Sequence, residues 1–132
     1  MKPLKNDFYT LQSLESEEGG LKAGILINVN HPILQGHFPG QPVVPGVCMV
    51  QIVKELLEER LAGKFGLASA DHIKFLSLID PRITPAFTAE LKFEIIDSQL
   101  VKVNAGFSHG DILYFKLQGG YFQKKKGESG VK

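Results

Sequence analysis

A chain of 132 residues, 43% hydrophobic and 22% charged, is one domain's worth of sequence and can bury a core without disulfide or metal staples. A formal net charge of +1 gives no footing for nucleic acid or a strongly acidic partner. The longest apolar run, Val43–Val50, is broken by Pro45 and Gly46 and is too short to cross a bilayer, while a lone Cys48 excludes an internal disulfide and any multi-cysteine metal site.

The start, Met-Lys-Pro-Leu-Lys-Asn-Asp, has no apolar signal core, which makes the cytoplasm the expected compartment. Phe8 to Leu14 reads as a weak strand, joined through Glu18-Gly19-Gly20 to a clearer one. There Leu21, Ala23, Ile25, Ile27 and Val29 recur at period two. His31 precedes Pro32 and falls in the loop that follows. From His37 to Gly46 the chain is punctuated by three prolines and by Gly40 and Gly46, which fix a non-repeating backbone path.

Pro45 suits the first turn of a helix. Met49, Ile52, Val53, Leu56 and Leu57 follow at spacings of three and four, Arg60 favours the carboxyl end, and Gly63 is the expected stop. Val47–Val53 is apolar nearly all round except at Gln51, which predicts burial on most sides, with Cys48 as buried filler.

His72 to Leu78 is the next predicted strand, ahead of Pro81 and Pro85. Three cleaner alternations follow, through Leu91/Phe93/Ile95, Val101/Val103/Ala105/Phe107 and Leu113/Phe115/Leu117. His109-Gly110-Asp111 is the turn between the last two. The expectation is α+β: one domain over residues 1–132, with an antiparallel sheet wrapped around one central helix and a frayed polar tail at 124–132. Exposed sheet edges predict a homodimer, or an oligomer of dimers.

The chemistry concentrates where a histidine and a helix start are joined by one rigid loop. Neutral imidazole takes protons near neutral pH, and unpaired N–H groups at a helix start stabilise a developing oxyanion. His72 and His109 are expected at the surface. His31, His37 and the carboxylates lack metal-ligand spacing, and no glycine-rich phosphate loop is present, so neither metal nor cofactor is expected.

The run His37-Phe38-Pro39-Gly40-Gln41-Pro42-Val43-Val44-Pro45-Gly46-Val47 resembles the His-Phe-Pro-x-x-Pro-Val-x-Pro-Gly-Val stretch of the 3-hydroxyacyl-[acyl-carrier-protein] dehydratases, the FabZ/FabA-like hot-dog fold. Ile73-Lys74-Phe75-Leu76 with Pro81 and Pro85 is a looser likeness, in which Ala86-Phe87 stands where the family has Gly-Asp. The resemblance implies a hot-dog domain acting on a 3-hydroxyacyl thioester carried by acyl carrier protein or coenzyme A. It implies His37 as the base for the C2 proton and the Gly46 and Val47 amides as the carbonyl site. Phe38, Pro45 and Phe75 then line the substrate.

The family's carboxylate, on the partner subunit's helix, falls on Gln51, which can hold a hydroxyl or a water but cannot act as a Brønsted acid. Glu55 lies one helical turn on, about 5.4 Å, and reverses the family's Glu-x-x-x-Gln order. It is either a displaced acid or part of a solvated face with Glu58 and Glu59. Lys54, Lys64, Lys74 and Arg82 are candidates for charge at a tunnel mouth. Three functions stay open on these residues: a dehydratase, a thioesterase in which Gln51 orients water, and an acyl- or carrier-binding subunit without catalysis.

Overall fold

The computed structural model describes residues 2–36, 40 and 42–124. Six strands form one antiparallel sheet: β1 (Tyr9–Glu17), β2 (Gly20–Ile27), β3 (Phe65–Phe75), β4 (Ala86–Ile95), β5 (Leu100–His109) and β6 (Ile112–Gln123). Their order in space is β1-β2-β4-β5-β6-β3. Helix α1 (Pro32–Gly36) is one short turn, and α2 (Gly46–Leu61) is the long helix against the sheet. This is the hot-dog arrangement.

Alternation sets the inner face. Leu21 and Ala23, Ala89 and Leu91, Ala105 and Phe107, and Phe115 and Leu117 stand in register across β2, β4, β5 and β6. All are buried, against Cys48, Met49, Ile52, Val53, Leu56 and Leu57 of α2. A ladder of rings crosses this face: Phe87 to Phe107 at 5.0 Å, Phe107 to Phe115 at 4.9 Å and Phe115 to Phe75 at 5.4 Å between centroids. Tilted aromatic pairs at such spacings add to simple area burial. Phe87, at the position that departs from the family's turn, is thus a rung of the ladder rather than a turn residue.

Several boundaries differ from those predicted. β2 stops at Ile27 and Val29 is exposed, because the Asn28 side chain donates to the Asp7 carbonyl and accepts from the Asn30 amide, each at 3.1 Å. This Asx turn ends the strand. β3 starts at Phe65 and ends at Phe75; its register slips twice, between Leu67 and Ser69 and between Ala70 and His72, which erases the alternation. The helix stop is Ala62 in the left-handed conformation, not Gly63.

Arg60 reaches past the helix end to the Gly20 and Glu17 carbonyls and lies over the Phe93 ring. His31 is buried: Nδ1 accepts from the Ile33 amide and Nε2 pairs with Asp7, each at 3.1 Å, so it caps α1. Cys48 is buried filler, and burial pushes its thiol up. Val47 is 61% exposed, against the burial expected of it. Helix α2 leaves Val47 exposed and Gln51, Lys54 and Glu58 half-buried, with Val50 packed at the margin of the core, so the apolar run of its first turns is only partly covered.

Candidate functional site

Proline has no polar side chain to offer a helix start. Pro45 is the N-cap of α2, extended at φ −64°, and no side chain caps the helix. The first bonds into the helix come from Cys48 and Met49 to the Pro45 carbonyl. Among the described residues, the Gly46 and Val47 amides have no acceptor. Gly46 lines an apolar groove of about 410 Å³ with Val43, Val44, Pro45, Met49, Phe75 and Leu78 among others, and Val47 follows it in the chain.

The ring of Phe75 covers Gly46. A Cβ built on Gly46 would sit 2.8 Å from the ring carbons, so only glycine permits this approach of ring to backbone. Phe75 is 55% exposed despite its place at the end of the ladder. Pro45, Gly46 and Phe75, three of the residues predicted to touch substrate, therefore meet at one mouth. His37 and Phe38 lie outside the described residues. Leu76 and Leu78, expected from the sequence to lie in a strand, follow the end of β3 and extend the apolar wall.

Gln51 and Glu55 lie on a different surface, an open groove of about 950 Å³ shared with Pro3, Lys5, Lys54, Glu58 and Lys64. The two grooves have no lining residue in common. Glu55 is neither vacant nor solvated. Its Oε2 accepts from the Leu4 amide and from Gln51 Nε2, both at 2.7 Å. Its Oε1 accepts from the Lys5 amide and the Tyr9 hydroxyl, both at 2.9 Å. A carboxylate has about four lone-pair sites, and all are occupied here. Tyr9 is buried; burial first, and the Glu55 charge second, hold its phenol far above the ordinary range. The sequence carried no signal for this clamp, because its donors are two backbone amides and a tyrosine from the other end of the chain.

The four candidate cations separate clearly. Arg82 is held by Asp80 at 2.9 Å, and the pairing lowers the Asp80 carboxyl. Lys54 lies 3.9 Å from Glu58, and Lys64 shares the acid-rich groove. Lys74 stands directly opposite Lys116 on the outer face of the β3–β6 pair. Among the described residues no group of three or more His, Cys, Asp or Glu side chains is placed to hold a metal ion. No helix there is long and apolar enough to cross a membrane.

Comparison with known proteins bears on the whole arrangement. The ApeI-like family model, described as ApeI dehydratase, matches residues 13–106. The 3-hydroxyacyl-[acyl-carrier-protein] dehydratase FabZ of Syntrophomonas wolfei is 39% identical over 74 residues, 48% of this chain and 51% of that protein. FabZ of Thermoanaerobacter sp. (strain X514) is 31% identical over 106 residues, 74% of this chain and 73% of that one. The chain spans about half the length of the first-named relative and of two others like it. Among solved structures, the dehydratase heterocomplex ApeI:P of Xenorhabdus doucetiae aligns with TM-score 0.65 at 20% identity, over 92% of this chain and 99% of that chain. A thioesterase of Haemophilus influenzae aligns with TM-score 0.60 at 12% identity, over 93% and 82%. At these identities the structures speak for the fold alone.

Proposed function

The chain belongs to the ApeI-like dehydratase family, and on that footing we propose that it removes water from a 3-hydroxyacyl thioester to give the trans-2-enoyl thioester. The observation that carries the reading is the start of α2, where among the described residues no side chain caps the helix and the Gly46 and Val47 amides have no acceptor, with Gly46 at the mouth of an apolar groove. In this scheme the thioester oxygen lies on the Gly46 and Val47 amides. His37 takes the C2 proton, and the electron pair moves onto that oxygen as an enolate. When the carbonyl re-forms, the C2–C3 double bond forms and the C3–O bond breaks. The departing hydroxide takes its proton from the His37 imidazolium, because Gln51 has none to give. Gln51 of the partner subunit holds the C3 hydroxyl while this happens, since within one chain Gln51 and Gly46 line separate grooves. The acyl group arrives on acyl carrier protein or coenzyme A, in the cytoplasm, at a site completed in a homodimer or an oligomer of dimers.

A second reading has one specific observation in its favour. Glutamine stands where the family has an acid, and the neighbouring carboxylate is fully engaged by four donors. A subunit that binds acyl thioesters without turning them over fits this, and would act beside an active partner. A thioesterase with Gln51 orienting water is the third.

One set of assays separates them. Enoyl formation from 3-hydroxyacyl thioesters is followed by absorbance, and thiol release by a thiol reagent, for wild type, His37→Ala and Gln51→Ala. Dehydration that falls at least about 100-fold in His37→Ala supports the dehydratase. Thiol release without enoyl product supports the thioesterase, and binding with neither product supports the accessory subunit.

A further inference from the structure

The clamp on Glu55 decides which way the Gln51 amide is turned. A carboxylate can only accept, so the group that meets Oε2 at 2.7 Å is necessarily the Gln51 N–H, not its carbonyl. Turning the amide over would set its carbonyl oxygen against an anion. Glu55 cannot swing aside to allow this, because the Leu4 and Lys5 amides and the buried Tyr9 hydroxyl hold both of its oxygens. The Gln51 Oε1 is therefore directed away from Glu55, and among the described residues it has no hydrogen-bond donor. It is a half-buried acceptor in a fixed orientation.

We infer that Glu55 is a positioning residue that holds Gln51 with its carbonyl outward, as an acceptor for the hydroxyl of a 3-hydroxyacyl chain whose thioester rests on the other subunit's helix start, and that this pair makes the site prefer hydroxylated over saturated acyl thioesters. The inference rests on the acyl-thioester reading above and deepens it. It gives Glu55 a task other than acid catalysis: a group whose lone pairs are all filled by donors has no vacancy for a substrate proton. It also accounts for the reversed order of the two side chains. Glutamine offers an acceptor to the ligand and a donor to its neighbour at once, whereas a carboxylate at position 51 offers no donor unless it is protonated. A site built to accept a hydrogen bond from a hydroxyl discriminates against a ligand lacking it, since the acceptor is then left unpaired.

The test is a ratio of affinities in the His37→Ala background, which leaves the hydroxyl on the ligand. Calorimetry compares 3-hydroxybutyryl- with butyryl-coenzyme A, and 3-hydroxydecanoyl- with decanoyl-coenzyme A. The expected preference for the hydroxylated member is about tenfold. Gln51→Met abolishes it, and Glu55→Gln reduces it several-fold. Because Glu55 acts through Gln51, adding Glu55→Gln to Gln51→Met changes the ratio no further. A ratio taken on one sample does not move when a variant merely lowers the folded fraction, so a purely structural role for Glu55 leaves it unchanged. Equal binding of both members, or a preference that survives Gln51→Met, overturns the inference and leaves the acyl-thioester reading standing. Binding of neither overturns both.

Discussion

Tyr9 donates its phenolic proton to Glu55 Oε1 at 2.9 Å, tying the first strand to the long helix across 46 positions of sequence. The ring is 1% exposed, so replacing it with phenylalanine keeps the packing and removes only the bond. A hydrogen bond to a charged acceptor contributes about 1.5–3 kcal/mol, and the half-buried Glu55 keeps three other donors, which places the expected loss toward the lower end. Tyr9→Phe is expected to lower the unfolding free energy by that amount, read as a lower urea midpoint with an unchanged m-value. An unchanged midpoint would mean that the clamp orders the N-terminal segment without stabilising the fold.

Restoring the family's acid at position 51 has a cost that the sequence does not reveal. Gln51 Nε2 lies 2.7 Å from Glu55 Oε2, so Gln51→Glu brings two carboxylates together, and they cannot both ionise there. The pair is expected to hold one proton in the folded state well above the unfolded glutamate value of about 4.3. A folded-state pKa raised in this way gives stability that is present below the unfolded value and lost as pH rises. Unfolding free energies of Gln51→Glu from urea titration should therefore match wild type near pH 4 and fall below it by roughly 2 kcal/mol near pH 8. Equal midpoints at both values would show that the new carboxylate turns out of contact with Glu55.

At the helix start, the question is whether ring and backbone can part. Gly46→Ala places a Cβ 2.8 Å from the Phe75 ring carbons, and the ring, being the far end of a half-exposed side chain, can move. Stability should change by less than about 1 kcal/mol. Affinity for acyl thioesters should fall about tenfold, because the displaced ring and the new methyl both occupy the approach to the Gly46 and Val47 amides. Thermal melts beside thioester titrations check the two halves. A large loss of stability with unchanged affinity would make Gly46 a packing residue only.

Much of this fold could be read from the chain, and the parts that could not have physical reasons. The alternations of β2 and β5 were legible because one face of each is buried and the other wet; that of β6 holds only from Phe115 on, since Leu113 is exposed and Tyr114 buried, the reverse of the expected order. The run from His37 to Val47 pointed to the family, although the structure describes only its last part. The first half of β3 was not legible. It is an edge strand, exposed along most of its length, and two register slips break its period. Helix α1 is a single turn, too short for any periodicity. The exposure of Val47 escaped notice because apolar residues on opposite sides of a helix look alike in sequence, while the sheet covers only one side. The Glu55 clamp was invisible for a different reason: three of its four donors come from residues 4, 5 and 9, and two of those are backbone amides that any sequence supplies.

Tyr121 gives the last prediction, on the alkaline side. Its ring is buried on β6, and its hydroxyl has no partner among the described residues. Burial alone pushes the phenol from 10.0 up to about 12. The unfolded chain gives up this proton near pH 10 and the folded chain does not, so between these values the unfolded state binds fewer protons and stability falls as pH rises. By pH 12 the loss from this one residue is roughly 2–3 kcal/mol. Tyr121→Phe should remove that part of the alkaline decline. At neutral pH it should leave stability equal or higher by up to about 1 kcal/mol, since a buried hydroxyl without a partner is lost with no bond broken. Urea unfolding of both proteins at pH 8 and pH 11 makes the comparison. A variant less stable than wild type at pH 8 would show that the hydroxyl makes a bond inside the fold.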